Sequence, residues 1–139
     1  VSGRHQARRV AIDILYRCDL TGAGPSGVIA DWRAGGRDVP VFSERLIEGV
    51  TRRLPEIDRL LEDHAEGWTV ARMAALDRTI LRVAVFELLE RDDVPPSVAI
   101  SEAVEAASEL SAEEAARFVN GILGRIARGR AAEDGSERP

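Results

Sequence analysis

The chain has 139 residues, 45% of them hydrophobic and 31% charged, a balance that supports one compact domain with a sizeable core and excludes a disordered or fibrous chain. A single cysteine, Cys18, rules out an internal disulfide and a cysteine cluster for zinc. The formal charge of −5 excludes a uniformly basic coat, so any contact with nucleic acid must come from a local patch.

All 19 basic side chains are arginine. That usage fits a GC-rich coding sequence, and chemically it makes every cation a planar fork suited to phosphate. No apolar run approaches the roughly 20 residues needed to cross a bilayer, and no basic segment followed by an apolar core opens the chain. The expectation is a cytoplasmic protein with no membrane contact.

Helical periodicity dominates, and neither alternating β-branched runs nor Asn-Gly or Asp-Gly hairpin turns between apolar segments occur. The fold class expected is all-α: about seven helices in two small antiparallel sub-bundles, 4–66 and 67–128, forming one compact domain, with 129–139 as a flexible tail. The first helix is predicted over 4–20, with Ala7, Val10, Ala11, Ile14, Leu15 and Cys18 on its core stripe, and Gly22 to Pro25 ending it. A short helix over 26–33 turns Val28, Ile29 and Trp32 inward before the Gly35-Gly36 break.

The next helix covers 40–54 through Phe42, Leu46, Ile47 and Val50. Leu54-Pro55 reads as a junction between two helices, because proline suits a first helical turn and Glu56 and Asp58 follow where acids are favoured. Ile57, Leu60, Leu61 and His64 form the buried face of the helix that follows, Gly67 closes it, and Thr69 is a candidate cap for what comes next. His64, Cys18, Met73 and Trp68 read as packing residues.

Between 76 and 89 the pattern turns apolar nearly all round, which predicts the central, most buried helix. The prolines make 92–96 a loop. A sixth helix over 98–109 carries alanines that permit close packing, and Ser111 to Glu114 has capping-box spacing. The seventh ends near Arg128, with Phe118, Val119, Ile122, Leu123 and Ile126 inward.

Motifs for catalysis are missing: no H-E-x-x-H, G-x-S-x-G, glycine-rich phosphate loop or C-x-x-C. The many acids suit a solvated helix surface. The expectation is a protein that is not an enzyme and holds no cofactor or metal.

The informative feature is the start of the first helix. Arg4, Arg8 and Arg9 occupy its leading turns, where the positive end of the macrodipole disfavours each cation by about 0.3–1 kcal/mol. At 100° per residue, His5, Arg9, Ile12 and Tyr16 share the face opposite the core stripe, with Arg8 at its border. Cations, free helix amides and an aromatic ring in one strip suit phosphate contact and base stacking by single-stranded RNA. A basic solvated N-terminus, with Ile12 and Tyr16 covered by another helix, fits the same residues, and the pattern alone leaves both readings open.

Several segments together resemble a known family. Gly3-Arg4-His5-Gln6-Ala7-Arg8-Arg9, leading to Ile14-Leu15-Tyr16, is similar to the start of NusB transcription antitermination proteins, especially actinobacterial ones. The 76–89 segment opening Leu76-Asp77-Arg78, then Asp93-Val94-Pro95, Ile100-Ser101-Glu102-Ala103-Val104 and Phe118-Val119-Asn120-Gly121, follow in family order. The resemblance leaves only 22–40 and the tail uncovered.

The resemblance implies a NusB-like fold and binding of boxA RNA in nascent ribosomal RNA transcripts. It also implies a partner, NusE, which is a small-subunit ribosomal protein, and a complex with NusA, NusG and RNA polymerase. By position it assigns RNA contact to Arg4, Arg8, Arg9 and Tyr16, with Glu114 and Phe118 in the segment that helps form the RNA surface, and partner contact to Asp77; His5 joins the RNA-contact candidates through its place on the same strip. The sparse N-terminal charge and the net −5 imply weak RNA binding without NusE.

Two other readings stand beside it. One is a helical interaction module or homodimer that covers the Ile12 and Tyr16 face. The other is a stand-alone relative of the helical domain that precedes the catalytic domain of certain ribosomal RNA cytosine methyltransferases.

Overall fold

A computed structural model describes residues 3–90 and 94–136. It contains seven α-helices: α1 (Gly3–Thr21), α2 (Pro25–Ala34), α3 (Val41–Arg52), α4 (Leu54–His64), α5 (Ala75–Leu89), α6 (Pro96–Leu110) and α7 (Glu113–Ser136), with one 3₁₀ turn at Val70–Arg72. No strand occurs among the described residues. No helix is long and apolar enough to cross a membrane, again among the described residues.

Local chemistry sets most of the boundaries. Thr21 donates its hydroxyl to the Arg17 carbonyl (2.8 Å), and Gly22 (φ +78) turns the chain out of α1 while its N–H bonds the Cys18 carbonyl. Arg53 alone separates α3 from α4, its N–H returning to the Gly49 carbonyl, so the Leu54-Pro55 junction is as expected. After α4, Glu66 (φ +50) and Gly67 (φ +92) reverse the chain.

Thr69 makes no side-chain cap; the Val70 N–H is satisfied instead by the Glu62 carboxylate at 2.8 Å. The capping box is also displaced. With α7 starting at Glu113 and the Ala116 N–H bonded to the Ala112 carbonyl, Ala112 stands at the cap, and Glu113 accepts from the Ser108 hydroxyl (2.6 Å).

The core is one continuous cluster built around α5, whose residues from Thr79 to Leu88 are buried on almost every side apart from Arg82. α1, α3, α4, α6 and α7 all pack on it. Close approaches are built with small residues. Gly49 faces the Phe86 ring, the hydroxyl of buried Ser43 donates to the Ala7 carbonyl (2.7 Å), and Ala99, Ala103, Ala106 and Ala107 line the buried face of α6.

Two arginines tie α5 to α1 and α4. Arg82 makes a two-pronged bond to Asp58 of α4 (2.9 and 3.0 Å), and Arg78 reaches Asp19 of α1 (2.7 Å) and the Met73 carbonyl (3.1 Å).

Two expectations are corrected. The segment from 129, expected as a flexible tail, continues α7 to Ser136, because Arg128, Arg130, Ala131 and Ala132 are good helix formers and a single Gly129 costs only about 1 kcal/mol. The second concerns α1, which is buried on two faces. Ala7, Ala11 and Ile14 meet the core stripe as expected, and Arg8 and Ile12, both 5% exposed, are enclosed as well. Of the loop over 92–96, Asp92 and Asp93 lie outside the described residues, as do 137–139 of the tail and Asp93 of the Asp93-Val94-Pro95 motif.

Candidate nucleic-acid interface

The leading turns of α1 carry no acid of their own, and Arg8 and Arg9 are met by carboxylates from other helices. Arg8 donates through Nε and Nη2 to the two oxygens of Glu87 on α5 (2.8 and 2.9 Å), and the pair is almost fully enclosed, with side chains 6% and 3% exposed. Burial opposes the Arg8 charge, yet the Glu87 hydrogen bonds and the charges of Glu87 and Glu102 outweigh it and raise its pKa. Ile12 and Arg8 help line a small crevice against α5 and α6.

The strip is therefore not the open basic face expected from the helical wheel. Ile12 is covered within the chain, and Arg8 is closed off from any phosphate in this conformation. The physical reason is that Arg8 and Ile12, one turn apart, form a second inward face. The polarity of Arg8 hides it in the apolar pattern.

The remaining residues of the strip are more accessible. His5, half-buried, donates from Nδ1 to Glu102 of α6 (2.8 Å). Arg9 lies 3.0 Å from Glu109 near the end of α6, with side chains 20% and 54% exposed. Tyr16, half-buried, shares a shallow cleft with Arg9, Asp13, Leu76 and Leu110. Arg4 is exposed and lays its guanidinium over the Phe42 ring (4.5 Å to the centroid), on whose margin Arg8 also sits (5.4 Å).

His5, Glu102 and Glu105 each bring one potential ligand atom within 4.8 Å of the others, the arrangement among the described residues able to hold a cation. Glu102 already accepts a hydrogen bond from His5 and stands 4.0 Å from Arg8 Nη1, so protein groups already occupy its oxygens.

A second grouping lies where α7 meets the turn after α4. Phe118 is half-buried and meets the ring of Trp68 edge-on (6.1 Å between centroids, 69° between planes). Trp68 is 45% exposed, and Arg72 caps its face at 5.2 Å. Glu114 is exposed one turn ahead of Phe118 and lies 3.8 Å from Arg117.

Trp68 is the residue that sequence reasoning misplaced: it is a surface aromatic, whereas neighbouring Met73 is packed in the core as expected. Its position directly after Gly67, outside any helix and four residues before an arginine, was the available signal.

Asp77, expected at the partner contact, is half-buried in the first turn of α5, and its Oδ1 is buried without a hydrogen-bond partner. Cys18 is half-buried, and burial pushes its thiol pKa up.

Known proteins share both sequence and fold. The sequence profile of the NusB family matches residues 5–128. The transcription antitermination protein NusB of Saccharopolyspora erythraea is 50% identical over 131 residues, covering 91% of this chain and 88% of the relative. That of Acidothermus cellulolyticus is 43% identical over 137 residues, covering 98% and 94%.

Among solved structures, T. maritima NusB superposes with a TM-score of 0.81 at 31% identity, covering 91% of this chain and 92% of that one. A chain in the crystal structure of the antitermination factors NusB and NusE in complex with dsRNA gives 0.80 at 26% identity, covering 92% and 99%. With the profile spanning most of the chain and relatives matching nearly end to end, this protein belongs to the NusB family.

Proposed function

We propose that this protein is a transcription antitermination factor that binds the boxA element of nascent ribosomal RNA transcripts together with NusE, within a complex containing NusA, NusG and RNA polymerase. The work is recognition rather than catalysis, and its setting is the cytoplasm. Support comes from relatives named for antitermination and from the likeness to a structure of NusB and NusE with RNA.

The observation in this chain that carries the reading is the Trp68 platform. A tryptophan left 45% exposed, held edge-on by Phe118 and faced by Arg72, contributes little to the core. It offers a base a flat partner beside a phosphate-binding fork, an arrangement worth about 1–3 kcal/mol per stacked base.

In this reading Arg4, His5, Arg9 and Tyr16 line the strand's path along α1, and Glu114 offers an acceptor to a base amino group beside Phe118. Arg8 is a positioning residue that holds α1 against α5. Asp77, with an unsatisfied carboxylate oxygen, is the proposed NusE contact.

The test is titration of boxA against scrambled RNA across a salt series, with and without NusE. Trp68→Ala is expected to weaken boxA binding about 5- to 150-fold with unchanged thermal unfolding. NusE is expected to tighten the wild type. Equal affinity for both RNAs, or no effect of Trp68→Ala, refutes the RNA reading of the platform.

A further inference from the structure

Resting on the reading that the α1 strip meets RNA, we propose that Glu109 is a built-in competitor for Arg9, occupying the place of a phosphate until RNA displaces it. Three basic side chains of α1 each face a carboxylate, and the three pairs differ in how readily they can exchange. Arg8–Glu87 is enclosed on both sides and bonded at two points. His5–Glu102 is 21% exposed on each side chain and hydrogen-bonded at 2.8 Å, with Arg8 as a second neighbour of Glu102. Arg9–Glu109 alone of the three pairs has a partner that is mostly in water, at 54% exposure.

The bond itself is incomplete. Arg9 Nη2 lies 3.0 Å from the Glu109 carboxylate, yet this buried nitrogen has no hydrogen-bond partner. Glu109 therefore balances the charge without satisfying the donor, and an incoming phosphate oxygen can do both.

Helix stability does not explain the placement of Glu109 either. It stands in the last turn of α6, where the macrodipole disfavours an anion and no basic residue offsets it. Arg9, across the gap on α1, is the compensating charge. Beside the pair, Tyr16, Leu76 and Leu110 wall a cleft open to solvent, which gives a base a surface next to the vacated fork.

In this proposal the exchange is a rotation of the Glu109 side chain, already 54% exposed, into water. The pair acts as a threshold. Isolated protein binds RNA more weakly than its cations would otherwise allow.

The test is a double-mutant cycle with boxA RNA as the probe, using full-length wild type, Glu109→Gln, Arg9→Ala and the combined variant, each checked by thermal unfolding. Glu109→Gln is expected to tighten binding about two- to fivefold, the range of a partly exposed ion pair. In the Arg9→Ala background the same substitution is expected to give clearly less.

An equal gain in both backgrounds means a diffuse charge effect and overturns the proposal. No gain in the wild-type background, with Arg9→Ala still weakening binding, overturns it while leaving RNA contact at Arg9 intact. If Arg9→Ala binds as wild type does, RNA contact at Arg9 fails and the proposal with it; the Trp68 platform is judged separately by its own variant.

Discussion

Truncating Arg8 to alanine strands Glu87, 3% exposed, in the centre of the protein without its cation. Removing one member of an enclosed, doubly bonded ion pair costs about 3–5 kcal/mol, because the survivor keeps its desolvation penalty and loses its compensation. Against a total stability of about 5–15 kcal/mol this is a large fraction. For a chain of this size it corresponds to a fall of about 10–20 °C in Tm.

Urea unfolding followed by circular dichroism measures it. Arg8→Lys is expected to fall between, since an ammonium cannot reproduce the fork that meets both Glu87 oxygens. Replacing both partners with methionine is expected to restore stability to within about 1–2 kcal/mol of wild type or better, since no charge is then left alone. If Arg8→Ala unfolds cooperatively within about 1 kcal/mol of wild type, the pair does not hold α1 to α5 and the assignment of Arg8 as a structural residue fails. The result also governs RNA work: lost binding by Arg8→Ala reports on folding unless stability is measured beside it.

Gly49→Ala is expected to destabilise by about 1–3 kcal/mol although alanine is the better helix former, because its Cβ would lie 2.1 Å from the Phe86 ring. Chemical denaturation reads this, Phe86→Leu in the same chain should recover part of the loss, and a stabilised Gly49→Ala would contradict the packing. Cys18 has its pKa raised by burial from an ordinary value of 9.0, so the folded state favours the neutral thiol. Its contribution to stability is complete below the unfolded value and is lost as pH rises through it towards the folded one. Alkylation of folded protein should accelerate at higher pH than in urea, and coincident profiles would refute the shift.

Much of the architecture was legible without coordinates because it is set locally. The all-round apolar run gives α5 its central place, proline after Leu54 gives the α3–α4 junction, and Gly22 gives the end of α1. The start of α1 was also legible as unusual, since three arginines on leading turns contradict the dipole whatever surrounds them. Which of those cations face solvent is a different kind of question. Its answer depends on carboxylates 79 and 97 residues away, which a 3.6-residue period cannot register.

Tertiary packing enclosed Arg8 and Ile12, set Glu109 opposite Arg9, and left Trp68 on the surface beside Phe118. Periodicity assigns a side chain to a face of its own helix. Only the arrangement of the other helices decides whether that face meets water, a carboxylate or a ring.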